Sequence, residues 1–188
     1  MNLKKLVLTS TLLVSTLFAG SYNVDKTHSN VGFKVKHLMI SNVSGKFNEF
    51  KGSFEYDEKA KTLVSLNGEI QVSSINTENE KRDTHLKAPE LFDAAKFPLI
   101  TFKLTKIDGD DAYGDITIKG ITKNIELDFD NGGTIKDPWG NDRAGFSLSG
   151  KIDRTDFGIT WNKVLEAGGV TVGNTIKLDI EIEGIKAK

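Results

Sequence analysis

Residues 31–37 carry the sequence VGFKVKH, in which two kinds of side chain alternate. The odd positions are Val31, Phe33, Val35 and His37, and they fall on one face of an extended chain. Glycine and lysine occupy the even positions, which fall on the other face. A period of two with one apolar face predicts a strand that is buried on one side. The same parity turns His37 inward, where an imidazole needs a hydrogen-bond partner or the polar group of a ligand.

The same alternation returns along the rest of the chain. It covers six more segments: Leu66–Val72, Ile100–Leu104, Gly114–Ile118, Ile125–Phe129, Phe146–Ile152 and Ile176–Ile182. An eighth segment, Lys46–Tyr56, has its aromatic residues out of strict alternation, which predicts a strand with a bulge. Short turns such as Asp108-Gly109-Asp110 and Asn131-Gly132-Gly133 separate neighbouring segments, and turns this short join antiparallel strands.

These features predict an all-β fold of about eight antiparallel strands with a short helical insertion. A closed barrel is the most economical arrangement, because closure leaves no exposed strand edge. An open two-sheet sandwich is the alternative. Asn76 or Thr77 can cap the inserted helix, which is expected to end near Leu86, and Pro89 can open a turn that reaches Phe92. A barrel of this size is either filled by its own side chains or hollow enough for one small ligand, and the pattern does not decide between the two.

The N-terminus has the layout of a secretory signal peptide. Two lysines precede an uncharged run over residues 6–18, and small residues follow. The run is shorter than the roughly 18 to 20 apolar residues that a membrane-spanning helix needs, so we expect cleavage rather than anchoring. The predicted signal peptide covers residues 1–19, with cleavage after Ala19 or Ser21, and the predicted folded domain covers residues 22–186. We therefore expect export to the periplasm.

The composition excludes several classes of site and partner. The chain contains no cysteine, so it can hold neither a disulfide nor a thiolate-bound metal. Its formal net charge is −1 and both signs are interspersed along it, whereas a nucleic-acid-binding surface is strongly basic. No nucleophile elbow, phosphate-binding loop, zinc-protease motif or calcium loop occurs. We therefore expect a protein that is not an enzyme and has no cofactor, metal or nucleic-acid partner.

The histidines are the first candidates for any chemistry. His28, His37 and His85 are the three histidines of the chain, and an open zinc site is one arrangement that three histidines can form. No two of them have the spacing of a local ligand pair. Their positions therefore favour separate hydrogen bonds to backbone or carboxylate groups at the rim of the barrel.

Arg154 continues the inward-facing stripe of the segment Phe146–Ile152. A guanidinium that faces the interior needs an acceptor, and Asp156, Asp153 and Asp83 are the candidate partners. We expect a buried ion pair that closes one end of the barrel rather than a catalytic group.

Five blocks of sequence, in order, resemble the YceI family of bacterial proteins. The first block fits the pattern Asp-x-x-His-Ser-x-Val-x-Phe-x-Val-x-His from Asp25 to His37 and continues with Gly45, Phe47 and Phe50. The second block consists of Arg82-Asp83, His85-Leu86, Phe92-Asp93, Phe97-Pro98 and Thr101-Phe102. The third block runs from Gly114 to Thr122. The fourth block consists of Gly145-Phe146 and Arg154 to Gly158, and the fifth is Val172-Gly173-Asn174. The family more often has Asp at the position of Asn174, a difference that affects only a turn.

The resemblance implies a lipocalin-like barrel that is hollow and lodges a long-chain isoprenoid or similar lipid, with a quinone as one candidate. The residues expected to contact this ligand are Phe33, Val35, His37, Phe47, Phe50, Phe102, Ile116, Ile118, Phe146 and Leu148. Structural or rim positions are expected for His28, Asp83, His85, Arg154 and Asp156. Transient membrane contact and a homodimer are both compatible with this reading.

Two other functions remain open at the level of sequence. One is an enzyme that uses an inward-facing histidine as a base on an amphiphilic substrate. The other is a filled barrel that acts as a protein-interaction module. A continuous interior cavity of several hundred Å³ would distinguish a container from a filled barrel.

Overall fold

A computed structural model describes residues 19–166 and 168–188, which form antiparallel strands and one short α-helix. The strands are β1 (Ala19–Val24), β2 (Asn30–His37), β3 (Ser41–Phe47), β4 (Phe50–Asp57), β5 (Thr62–Gln71), β6 (Ile75–Asn76), β7 (Leu99–Asp108), β8 (Asp111–Ile118), β9 (Ile121–Lys136), β10 (Asp142–Asp153) and β11 (Val172–Lys186). The helix α1 covers Glu80–Leu86. Of the predicted signal peptide, residues 1–18 lie outside the described residues. Among the described helices, none has the length and apolar character needed to cross a bilayer.

Eight strands close into a barrel in the order β1-β4-β5-β7-β8-β9-β10-β11, and β11 pairs back with β1. The long strand β11 contacts β1 near its end, through Val24↔Gly184, and β2 earlier, through Val31↔Ile180. Strands β3 and β6 extend the wall beyond β2. The expected all-β barrel of about eight antiparallel strands with a short helical insertion is therefore confirmed.

The predicted eighth strand, Lys46–Tyr56, is wrong as a single element. The chain turns at Asn48-Glu49, so that β3 and β4 lie in different parts of the wall. The Asn48 N–H donates to the Ser74 carbonyl oxygen (3.1 Å) and the Glu49 N–H donates to Ser74 Oγ (2.9 Å). These bonds to a distant segment interrupt the strand, and the irregular aromatic spacing marks the turn rather than a bulge.

The inserted helix starts later than predicted, because Asn79 caps it rather than Asn76 or Thr77. The Asn79 side chain accepts a hydrogen bond from the Arg82 backbone N–H (3.0 Å). Thr77 instead donates its hydroxyl to Asp83 (2.5 Å) and accepts from Arg82 Nε (2.7 Å). Asp83 is therefore a local structural residue, which ties the start of the helix to the strand before it.

The interior divides into two apolar clusters of different character. At one end, Tyr22 stacks on Phe54 (5.2 Å between ring centroids), and Phe54 meets Phe146 edge to face (5.1 Å). These rings and their aliphatic neighbours fill that end, which we call the closed end. The other cluster is covered by the inserted segment that carries α1. Its buried residues include Leu91 and Phe157.

Charged groups outside the closed end connect β10 and β11 to the residues that follow β1 and β9. Arg143 donates through Nη1 to Asp25 (2.9 Å) and to Glu183, and through Nε to Asp137 (2.7 Å). The hydrogen bond from Thr27 is the largest reason why the pKa of Asp25 lies well below its usual range, and His28 and Arg143 lower it further. Burial would raise the pKa of Asp137, but hydrogen bonds led by that from Arg143 hold it well below its usual range.

Arg154 lies inside the wall, only 6% exposed, and forms no ion pair with a carboxylate of residues 19–166 or 168–188. Its Nη1 donates to the carbonyl oxygens of Ile159 (2.7 Å) and Trp161 (2.9 Å), and its Nε donates to that of Gly173 (3.1 Å). Burial lowers the pKa of this guanidinium, which nevertheless stays protonated as arginines do. The predicted ion pair is therefore wrong.

The three carboxylates proposed as partners are placed elsewhere. Asp153 accepts from Thr155 N (2.8 Å) and caps a short 3₁₀ turn, Asp83 holds Thr77, and Asp156 is exposed. The guanidinium instead donates to backbone carbonyl oxygens of the loop before β11 and of the first residues of β11, so these buried acceptors are satisfied.

We expect Arg154→Met to lower the free energy of unfolding by about 3 kcal/mol, because each buried acceptor that loses its donor costs about 1–3 kcal/mol. Arg154→Lys should recover only a small part, since a single ammonium cannot reach acceptors spread across a planar fork. Urea unfolding followed by circular dichroism measures both changes. A loss of less than about 1 kcal/mol for Arg154→Met would contradict this role.

We expect Arg143→Met to lower the midpoint of thermal unfolding most at neutral pH. The lowered pKa values of Asp25 and Asp137 stabilise the fold fully above the ordinary carboxyl pKa of about 4, and this contribution is lost as pH falls through the folded-state pKa. The difference in unfolding midpoint between wild type and Arg143→Met should therefore become smaller below about pH 4.

Lys106→Met is the matched control, since it removes an exposed ion pair with Asp108. It should leave the midpoint almost unchanged at every pH. A gap for Arg143→Met that stays constant with pH would show that its carboxylate partners do not carry the effect.

Candidate ligand-binding site

A cavity of about 310 Å³ occupies the end of the barrel opposite the closed end. Strands β2 and β11 contribute more of its wall than any other strand, β7, β8 and β10 add inward positions, and the segment that carries α1 covers one side. The aliphatic part of this lining includes Ile100, Ile116, Ile118, Ile152, Ile176 and Leu178. A concave apolar space of this size with few polar groups is typical of a small-molecule site.

Two glycines in the wall make room for aromatic rings that border the open interior. A Cβ atom added at Gly45 would collide with the ring of Phe33, and one added at Gly114 would collide with the ring of Phe102. The bare backbone at these glycines lets each ring lie against the wall instead of extending into the centre. Phe33 and Phe102 therefore border the open interior rather than fill it, unlike the rings of the closed end.

A second chamber of about 70 Å³ lies directly behind the first. The two share Val31, Ile70, Ile116, Leu178 and Ile180 in their walls. Gly52 and Gly68 are paired across β4 and β5 at this depth, and a Cβ atom at Gly68 would meet nothing within 4 Å. The interior is therefore deep and narrow, and it widens beside these two glycines, which carry no side chain.

The polar groups of the cavity are concentrated at its mouth. His85 Nε2 lies 3.1 Å from Glu90 Oε1, and its ring meets Trp161 edge to face (4.8 Å). Arg82 Nη2 donates to the Thr77 carbonyl oxygen (2.7 Å). His37 also borders the mouth, and no hydrogen-bond partner for its imidazole ring occurs in the part of the chain that the structure describes. The site is therefore amphiphilic, with a polar entrance and an apolar depth.

The structure brings most of the ten residues expected to contact a ligand to this interior. Six of them line the main cavity: Phe33, Val35, His37, Phe47, Ile116 and Ile118. Phe50, Phe102 and Leu148 border the second chamber.

Phe146 is the exception, because it packs against Phe54 and Phe129 at the closed end. Its parity correctly turns it inward. Alternation predicts which face of a strand is buried but not the depth of a residue along the barrel axis. The expectation that Phe146 lines the cavity is therefore wrong.

Several lining residues are absent from the sequence-based set. Ile100, Ile152, Ile176 and Leu178 lie on the same alternating stripes, which already mark them as inward-facing. Trp161 lies in the loop before β11, where no periodicity could indicate its position.

The three histidines do not form a common site. His37 and His85 lie at the mouth, whereas His28 lies near the closed end, with Nδ1 2.7 Å from Asp25 Oδ2. Asp25, His28 and Glu183 do present ligand atoms within 4.8 Å of one another. The Arg143 guanidinium, however, already binds both of these carboxylates.

Comparison with known proteins gives the same fold and places the chain in a family. The model of the YceI-like domain matches residues 22–184. A UPF0312 protein of Staphylococcus aureus strain N315 is 37% identical over 164 residues, which cover 87% of this chain and 96% of that protein.

Solved structures extend the comparison. The YceI protein of Campylobacter jejuni is 38% identical, with a TM-score of 0.71 over 87% of this chain and 96% of its own. A polyisoprenoid binding domain from Saccharophagus degradans shares the fold at 16% identity, with a TM-score of 0.63 over 88% of this chain and 98% of its own. The match of the domain model across the barrel and the identity to these relatives show that this chain belongs to the YceI family.

Proposed function

We propose that the protein binds an amphiphilic lipid of the isoprenoid class, with the apolar tail in the barrel and the polar head at the mouth. The observation that carries this proposal is the division of the site into a deep apolar interior and a polar entrance. A soluble polar metabolite would leave its hydrogen-bonding groups unpaired against the aliphatic wall. An apolar chain instead gains about 0.8 kcal/mol for each CH₂ group that leaves water.

Within this class we propose a quinone as the ligand. Quinone carbonyl oxygens accept hydrogen bonds, and the mouth carries donors on Arg82, His37 and His85. The polyisoprenoid binding domain that shares this fold supports a prenylated ligand, since its name describes a protein that binds such chains.

We further propose that the protein acts after export, as a carrier or store in the periplasm. This part rests on the N-terminal signal-peptide pattern. Tyr22 is 1% exposed and belongs to the aromatic cluster of the closed end, so cleavage after Ala19 or Ser21 leaves that cluster intact. Cleavage after Ser21 would remove three residues that pair with β4.

Neither alternative function gains support from the site. A base needs a nucleophile or substrate group within hydrogen-bond reach, and the mouth offers no side-chain pair of that kind in the described residues, since His85 is engaged by Glu90. A filled barrel conflicts with the cavity itself. We therefore propose binding without a chemical step.

The binding proposal is tested by quenching of Trp161 fluorescence on titration with a prenylated quinone. Trp161 borders the cavity, and the Trp139→Phe background removes the other tryptophan, which is 81% exposed at the opposite end. We expect saturable quenching, and Val35→Trp should bind at least about tenfold more weakly because the larger ring occupies the cavity; calorimetry measures this affinity, since the variant adds a tryptophan.

Val64→Trp is the matched control, because it places the same substitution on the outer face of β5. It should bind like the background protein. An unchanged affinity in Val35→Trp, or no saturable quenching in the background protein, would refute binding in this cavity.

Tail length gives a second test. We expect Gly68→Leu to fold normally, since the new side chain enters open space. It should bind long-tailed quinones about tenfold more weakly, because the leucine displaces a part of the tail equivalent to about two CH₂ groups. Affinity for a quinone with a single isoprene unit should not change. Equal weakening for both tail lengths would show that the second chamber does not hold the tail.

Export is tested by N-terminal sequencing of the protein from fractionated cells. We expect a periplasmic protein that begins at Gly20 or Tyr22. A cytosolic protein that retains residues 1–18 would contradict this part of the proposal.

A further inference from the structure

The tip of the β2–β3 hairpin carries apolar residues in an unfavourable backbone conformation. Leu38 and Met39 have φ angles of 48° and 64°, and the Ile40 N–H donates to the His37 carbonyl oxygen (3.1 Å). Two consecutive positive φ angles define the hairpin turn in which Asn-Gly is strongly preferred. Large side chains are disfavoured there, so their presence in a strained turn points to a role for the side chains themselves.

These side chains form an exposed apolar patch together with one neighbouring residue. Leu38 is 37% exposed, Met39 54% and Ile40 82%, and Val164 in the adjacent loop is 84% exposed. We call these four residues the apical patch. Apolar residues that cluster on a surface, rather than occurring singly, mark an interaction site.

The apical patch lies beside the mouth of the cavity. The Leu38 N–H donates to the carbonyl oxygen of Thr171 (2.9 Å), and both Thr171 and His37 line the cavity. Val164 forms an isolated bridge with Val170, the residue before Thr171. A partner that covers the patch would therefore also face the entrance.

The charge around the patch favours an anionic partner. Lys36 in β2 and Lys163 beside Val164 are the basic residues closest to the patch along the chain, and Glu166 is the carboxylate of the same loop. Lys34 lies 3.6 Å from Asp179 of β11, whereas Lys36 borders the mouth. Apolar side chains beside lysines match the interfacial region of a bilayer with anionic head groups.

We propose that the apical patch inserts into the surface of an anionic membrane, so that the cavity opens directly onto the bilayer. The inference rests on the proposed lipid-binding function and adds the route by which the ligand enters. A long-tailed lipid can then pass from membrane to barrel without crossing water. The strained turn places Leu38 and Met39 where they are buried in the bilayer and not in the protein.

The test compares wild type with the double variant Leu38→Asn, Met39→Gly. This variant introduces the residues that the turn prefers, so its unfolding midpoint should be equal or higher. Its uptake of quinone from detergent solution should match that of wild type, because neither residue lines the cavity. Its flotation with vesicles of phosphatidylglycerol and phosphatidylcholine, and its rate of quinone extraction from them, should each fall about tenfold.

Ile135→Asn is the matched control, since Ile135 is 71% exposed on β9, next to the hairpin at the closed end. It should leave vesicle flotation and extraction unchanged. The inference is overturned if Ile135→Asn reduces flotation as much as the double variant does, or if the double variant extracts quinone at the wild-type rate.

Two further results separate the explanations. Wild-type protein that takes up quinone from detergent but neither floats with vesicles nor extracts quinone from them would overturn the inference and leave the proposed function standing. Sedimentation that shows a wild-type dimer, converted to a monomer by the double variant while extraction is unchanged, would assign the patch to a second copy of the chain and overturn membrane insertion.

Discussion

A ladder of three residue pairs between β1 and β11 closes the barrel, and the rest of the structure depends on it. The pairs are Tyr22↔Lys186, Asn23↔Ile185 and Val24↔Gly184. The seam is short, but polar contacts reinforce it, because Glu58 accepts hydrogen bonds from both Tyr22 (3.0 Å) and Lys186 (2.7 Å). Closure at eight strands sets the diameter of the barrel, and this diameter leaves room for one narrow ligand.

The second constraint is the unequal filling of that interior. Rings from β1, β4 and β10 occupy the closed end, whereas rings on β2 and β7 lie flat over glycines and leave the other end hollow. Polar groups are then confined to the mouth, where solvent and backbone can satisfy them. Arg154 belongs to this arrangement, because it fastens the loop that contributes Trp161 to the entrance. The same barrel thus combines a rigid core with a cavity.

Sequence alternation was sufficient to predict most of the strands, since a period of two specifies which face of each strand is buried, and the barrel was preferred over a sandwich because closure leaves no exposed edge. It could not place residues along the barrel axis, as the different positions of Phe146 and Ile152 on one strand show. The division between β3 and β4 was also unpredictable, because Ser74, a residue distant in sequence, holds the turn. The partners of Arg154 come from a loop without periodicity. The hollow interior followed only from the family resemblance, and its structural cause lies in glycines that a hydrophobic pattern does not register.

Native mass spectrometry of the protein, purified without detergent from the periplasm of its own host, tests the central claim most directly. We expect a population heavier than the polypeptide by the mass of one lipid, and organic extraction should remove this lipid and identify it as a prenylated, quinone-like molecule. A mass equal to that of the polypeptide alone in every preparation, together with an extract free of lipid, would contradict the claim that this barrel is a lipid container.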